Sequence, residues 1–129
     1  MSVHSRGIKP SLSADDDALT KAPPVPRHLS TQAKAEWKRV MPQLIAREIL
    51  TKGDVAGVEN YCLMIGTIRQ IEADQAASGQ IDLKMMGLAV RCATTARQLA
   101  AEYGLTPTSR QRIGGPKADD DASDNPLDA

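Results

Sequence analysis

Phenylalanine is absent from this sequence, and Trp37, Tyr61 and Tyr103 are all the aromatic side chains it has. Hydrophobic residues still make up 41% of the chain, so a core has to be built from Ala, Leu, Ile, Val and Met. That palette suits closely packed helices better than a sheet, whose pleated surface favours aromatic and β-branched side chains. No apolar run approaches the roughly 18 residues that a membrane span requires. The opening MSVHSRGIKPSLSADDD also lacks the apolar stretch of a secretory signal. The chain therefore reads as cytosolic, not secreted and with no membrane partner. Cysteine is scarce as well: Cys62 and Cys92 fall inside helical patterns and read as small buried hydrophobes rather than as a disulfide.

The residue sets that carry catalysis are missing too. There is no GxxxxGK[ST] to cradle a nucleoside triphosphate. His4 and His28 lie far in sequence from both cysteines, which argues against a zinc site. The acidic runs Asp15, Asp16, Asp17 and Asp119, Asp120, Asp121 sit in polar, breaker-rich sequence and read as solvated rather than as cation sites. No Ser/His/Asp set marks a nucleophile. Neither an enzyme, a metal nor a cofactor is expected.

What the chain does have is an uneven charge distribution beneath a formal net charge of zero. Residues 1–29 carry a net +1, residues 30–113 a net +3 and residues 114–129 a net −4. A mildly basic body thus precedes an acidic tail. The length of 129 residues is about that of one domain. Residues 1–29, with Pro10, Pro23, Pro24 and Pro26 and no helical or strand period, read as a flexible basic, proline-rich arm, and residues 114–129 as a disordered acidic tail. In the arm, RGIKP places Arg6 and Lys9 where the backbone is free to follow a partner, and either a solvated tail or a phosphate-contacting arm fits it.

The densest patterning lies in residues 29–62, LSTQAKAEWKRVMPQLIAREILTKGDVAGVENYC. Ser30 or Thr31 can cap a first helix over about 30–48. Ala33, Trp37, Val40, Met41, Leu44 and Ile45 recur at three- and four-residue intervals and share one face. Pro42 should kink or restart that helix, because it lacks an amide and its ring clashes with the carbonyl of Lys38. Thr51 and Asp54 match a capping box for a second helix over about 52–78, on the order of 40 Å long and ending at Gly79. Its expected buried face is Val55, Val58, Cys62, Ile65, Ile68 or Arg69, then Glu72, with Tyr61, Leu63, Met64 and Ile71 widening the arc. The expected core centres on Trp37, Val40, Leu44, Ile45, Val58 and Cys62.

Asp82 is an N-cap for a third helix over about 83–103 that stops at Gly104, and Pro107 fits the first position of a short helix over 107–113. The brief link at Gln80 and Ile81 makes the second and third helices an antiparallel hairpin. Leu83, Met86, Val90 and Ala93 form one stripe of the third helix; Met85, Ala89, Cys92, Ala96, Leu99 and Tyr103 form another. Together they exceed what one neighbouring helix can cover. Either the first helix and the arm cover the surplus in a monomer, or copies of the chain do so for one another. On the second reading the interface candidates are Ile65, Ile68, Met85, Met86, Ala89, Cys92, Ala96, Leu99 and Tyr103. The architecture expected is all-α: a kinked N-terminal helix on a long helical hairpin, with a short C-terminal helix between disordered tails.

RGIKP at 6–10, PPVPRHLS at 23–30, AKAEWKRVMPQL at 33–44, LTKGD at 50–54, ENYC at 59–62 and GLTPTSRQRI at 104–113 occur in that order. In this combination the chain resembles the small terminase subunits of tailed double-stranded-DNA bacteriophages, in the short all-helical group of head-to-tail packaging phages. The resemblance covers about residues 6–113. It departs between the long helices, where many relatives carry an NP-containing patch and this chain has SGQIDLKMMG, so no role carries over to that loop.

The resemblance implies a non-catalytic component of a genome-packaging motor, encoded by a phage or prophage and acting in the host cytoplasm. It implies a homo-oligomeric ring of about eight to eleven copies, recognition of double-stranded viral DNA, and regulation of a large terminase subunit that holds the ATPase and nuclease. The DNA-contact candidates are Arg6, Lys9, Arg27, Lys34, Lys38, Arg39, Arg110 and Arg112, and for those on the first helix an ordinary solvated face is the competing reading. No helix shows an Asn/Gln/Arg-rich face suited to the major groove, so shape recognition or wrapping is favoured over base reading. Asp119, Asp120, Asp121 and Asp124 are candidate contacts to the large subunit. The alternative function is a helical protein–protein adaptor that does not touch DNA.

Overall fold

The computed structural model describes residues 17–106, and over them the chain is all-α, with three helices, one 3₁₀ turn and no strand among the described residues. Helix α1 spans Thr31–Ala46. It begins where it does because Ser30, in an extended conformation, accepts from the Ala33 amide at 3.2 Å. It runs through Pro42 as one helix and does not restart there. Pro42 and Lys38 both face solvent, where water can satisfy the carbonyl that proline leaves without a donor. On the opposite side Val40, Met41 and Leu44 are buried and hold the backbone in register. The helix closes at Arg47, whose amide donates to the Gln43 carbonyl at 3.2 Å, and Glu48 then turns the chain with a φ of 56°.

At the start of the next element the Asp54 carboxylate accepts from the Thr51 amide at 2.8 Å and from its hydroxyl at 3.0 Å. This pairing opens the 3₁₀ turn Lys52–Asp54, which leads directly into α2, Val55–Ser78. Gly79, with a φ of 70°, ends α2 by donating to the Gln75 carbonyl at 2.9 Å, a left-handed position that costs glycine little. Asp82 then accepts from the amides of Lys84 and Met85 at 3.0 and 3.2 Å and starts α3, Leu83–Glu102. At its end Leu105 donates back to Ala100 at 2.8 Å across Gly104, a Schellman closure.

Helix α2 is central and packs against both α1 and α3. The core gathers Leu29, Ala33, Trp37, Val40, Met41, Leu44, Leu50, Val58, Tyr61 and Cys62, joined by Ala96 and Ala100 of α3. Ile45 is only partly buried at its edge. A close approach fixes each helix pair. A Cβ at Gly66 would lie 2.7 Å from the Ala33 amide nitrogen, so α1 crosses α2 with backbone nearly touching backbone. Gly57 leaves the space that the Tyr103 ring fills.

Two further expectations change. Residues 17–29 are not wholly a free arm: Leu19 donates its amide to the Leu50 carbonyl at 2.8 Å, Leu29 is in the core, and Leu19 and Val25 pack against it. These three apolar residues have no periodic spacing, so pattern reading passes over them. The buried face of α2 is also only in part the expected one. Val58 and Cys62 are buried, as are Tyr61 and Ile71 of the wider arc, but Arg69 and Glu72 are exposed and Gly66 is buried, because α1 and α3 approach α2 from two sides rather than one. Residues 1–16, the expected short helix at 107–113 and the acidic tail lie outside the described residues.

Candidate nucleic-acid interface

Among the basic candidates, Arg27, Lys38 and Arg39 are exposed and Lys34 is half-buried. Lys38 and Arg39 are sequence neighbours, so they diverge by about 100° around the helix axis and do not form one patch. Lys34 and Lys38, one turn apart, border the buried face on the Trp37 side. Arg39 borders it on the other side, beside Glu36. Arg6, Lys9, Arg110 and Arg112 lie outside the described residues.

Glu36 is the residue that pattern reading missed. Between Lys34 and Lys38 it has the pattern of a solvated face, yet it is fully buried, and it is the one buried charged residue among those described. Arg39 grips its carboxylate from the same helix, Nε donating to Oε1 at 2.9 Å and Nη2 to Oε2. From α2, the Tyr61 hydroxyl donates to Oε2 at 2.7 Å and Arg69 Nη1 lies 3.2 Å from Oε1. The four side chains tie α1 to α2 where Gly66 and Ala33 bring the helices together. The signal in the sequence is positional: Glu36 stands three residues after Ala33 and four before Val40, at the edge of the apolar stripe.

Burial opposes ionisation of Glu36. Hydrogen bonds from Arg39 and Tyr61 and the charges of Arg39 and Arg69 outweigh it and hold the carboxyl below the ordinary carboxylate range. The same contact raises Arg39 above its ordinary value, chiefly through its hydrogen bond to Glu36. Burial, then the neighbouring carboxylate, pushes the Tyr61 phenol up to about 12. Cys62, also pushed up to about 12 by burial, is a free, buried thiol and so is a poor nucleophile. Arg39 is thus not simply a free surface cation: its charge faces a buried anion first.

The candidates for contact between copies divide into three groups. Cys92 and Ala96 are buried within the chain, and Leu99 and Tyr103 pack against its core, so these four serve the α2–α3 contact. Ile65, which packs against the core, Ile68 and Ala89 are half-buried. Met85 and Met86 remain 43% and 42% exposed, and with Ile81 at 75%, Leu83 at 82% and Val90 at 63% they make an apolar surface around the hairpin tip. An open depression of about 800 Å³ runs beneath it, lined by Ile71, Gln75, Ile81, Leu83 and Met85 together with Asp74, Asp82 and Lys84. Asp119, Asp120, Asp121 and Asp124 lie outside the described residues. No helix among the described residues is long and apolar enough to cross a membrane. Nor does any group of three or more His, Cys, Asp or Glu among them converge to hold a metal ion.

No curated protein and no solved structure matches the chain. A family model does: that of the phage terminase small subunit matches residues 33–120, from the first turn of α1 into the acidic tail. The match covers well over half of the sequence, includes the Glu36 cluster and the whole hairpin, and agrees with the all-helical fold; the chain belongs to the phage terminase small-subunit family, whose role is in phage DNA packaging.

Proposed function

We propose that the chain is a non-catalytic DNA-recognition subunit of the packaging motor, assembled as a homo-oligomeric ring in the host cytoplasm and regulating the large terminase. The apolar surface on α3 carries this reading. Leu83 and Val90 are largely uncovered by the described residues and Met85 and Met86 only partly covered, and a second copy is the partner that self-assembly supplies. A net charge of +3 over residues 30–113 is feeble in one copy. Repeated around a ring it becomes an extended positive field, suited to contacts with the phosphate backbone. The acidic residues Asp119, Asp120, Asp121 and Asp124 are then left to engage a basic surface of the large subunit.

Light scattering on the purified chain tests the assembly: a discrete multi-subunit mass is expected, and a monomer at micromolar concentration would overturn it. DNA affinity measured against salt tests recognition, with a steep fall expected as salt rises. The second reading, an adaptor that never touches DNA, draws support from Arg39, whose charge is partly consumed by Glu36. A negligible, salt-independent DNA response in an assembled ring would favour it.

A further inference from the structure

The Glu36 cluster does more than close a core. Arg39 comes from α1 and Arg69 from α2, and the same buried carboxylate fixes both. Their side chains remain 56% and 42% exposed, so each guanidinium has one edge on Glu36 and another facing water. Arg39 commits Nε and Nη2, leaving Nη1; Arg69 commits Nη1, leaving Nε and Nη2. None of these remaining donors has a protein partner among the described residues. Two guanidinium groups against one carboxylate also leave one positive charge uncompensated.

We infer that Arg39 and Arg69, positioned by Glu36, form a two-point phosphate site where α1 crosses α2, and that it takes a phosphodiester of the DNA backbone. The inference rests on the DNA-recognition reading above and assigns to it residues from two helices that no composition or spacing argument brings together. An arginine on a surface helix normally loses much rotamer freedom when it grips a phosphate. Here the buried carboxylate has already restricted both side chains, and the 2.7 Å bond from Tyr61 holds the carboxylate itself. The Gly66–Ala33 contact keeps the two helices at fixed separation, so the guanidinium spacing cannot drift. A phosphodiester offers two unesterified oxygens, one for each exposed fork edge. In this arrangement Glu36 is a positioning residue that never touches the ligand.

The test exploits a sign. Glu36→Gln adds one positive charge to the subunit, so a diffuse electrostatic surface binds DNA more tightly after the change. A site that depends on Glu36 to aim its arginines binds more weakly, by about tenfold at fixed salt. The probe is a labelled duplex two helical turns long, titrated by anisotropy, with light scattering on each variant. Equal or tighter binding by a folded, assembled Glu36→Gln variant would overturn the site. Should that variant fail to fold, Arg39→Lys with Arg69→Lys replaces it: both charges stay, the forks are lost, and a several-fold loss is expected; unchanged affinity overturns the site. Arg97→Gln, an exposed cation on α3, calibrates what the loss of one charge does on its own. A wild-type chain that ignores duplex even at low salt refutes the DNA reading as a whole, whereas wild-type binding with indifferent variants refutes only this site. Variants that change the particle mass while leaving DNA affinity intact would make the arginine pair a subunit contact and overturn it as well.

Discussion

Along α2, Val58, Tyr61, Cys62 and Gly66 are enclosed between α1 and α3, whereas beyond Arg69 only Ile71 is buried. The cause is length. Sixteen residues make α1 about 24 Å long, against about 36 Å for the 24 residues of α2, so the first helix runs out partway along the second. The enclosed half holds the tryptophan, both tyrosines and the buried charge cluster. The far half meets α3 alone, and its apolar surface sits on the outside, at Ile81, Leu83, Met85, Met86 and Val90. One helix thus serves a subunit core at one end and a free surface at the other, so stability and assembly should respond to different substitutions.

The largest contrast is expected between Trp37→Ala and Leu83→Ala. Trp37 is 2% exposed at the centre of the core, and its truncation should cost about 3–5 kcal/mol. Leu83 is 82% exposed, and its truncation should change the stability of the folded subunit by no more than about 0.5 kcal/mol. Urea unfolding of dilute protein measures both. Comparable costs would mean that the division between the two halves is wrong.

Gly66→Ala sharpens the enclosed side. The new methyl would sit 2.9 Å from the Ala33 Cα and Cβ, with no flexible side-chain end able to yield, so α1 has to shift. A net cost of about 1–3 kcal/mol is expected, despite alanine's better helix propensity. A neutral outcome in thermal unfolding would show that the crossing is looser than these distances.

How far this division is legible in the sequence depends on the range of the interactions behind it. Helix ends are local events: Ser30, the Thr51–Asp54 pair, Gly79, Asp82 and Gly104 each act within five residues of their partners, and each can be read from its neighbours. The all-helical class follows from composition and period. Glu36 could not be placed that way, because two of its partners, Tyr61 and Arg69, arrive from another helix, Tyr61 being 25 residues away. A glutamate between Lys34 and Lys38 has the pattern of a solvated face until α2 is laid across it. Leu19 and Val25 escaped for a related reason, since an irregular segment without period shows its burial only through contacts such as the Leu19–Leu50 hydrogen bond.

The charge cluster also makes the enclosed half sensitive to acid. The Glu36 carboxyl ionises more readily in the folded chain than in the unfolded one, so its contribution is present above the ordinary carboxylate value. That contribution is lost as pH falls through the lowered folded value. Stability should therefore drop on the acid side in wild type and fall less steeply in Glu36→Gln. At neutral pH the substitution should cost on the order of 1–2 kcal/mol, reduced because both arginines are partly solvated. Parallel acid limbs in the two proteins would show that Glu36 does not titrate as its partners require.

The smallest effect, with the opposite sign, belongs to the far half. Gly87 lies inside α3, and a Cβ added there would meet only the flexible end of Arg91 at 3.6 Å. Unlike Gly66, it is not needed for any close approach among the described residues, so Gly87→Ala should stabilise the subunit by about 0.5–1 kcal/mol by reducing the freedom of the unfolded backbone. The gain is expected in dilute protein, where no second copy competes for the space. At concentrations where the chain assembles, the same methyl tests the surface next to Met86 and Val90: if copies meet there as closely as α1 meets α2 at Gly66, the thermal gain should shrink or reverse while the dilute-solution gain persists. A gain that is identical at both concentrations would place the contact between copies elsewhere on the hairpin.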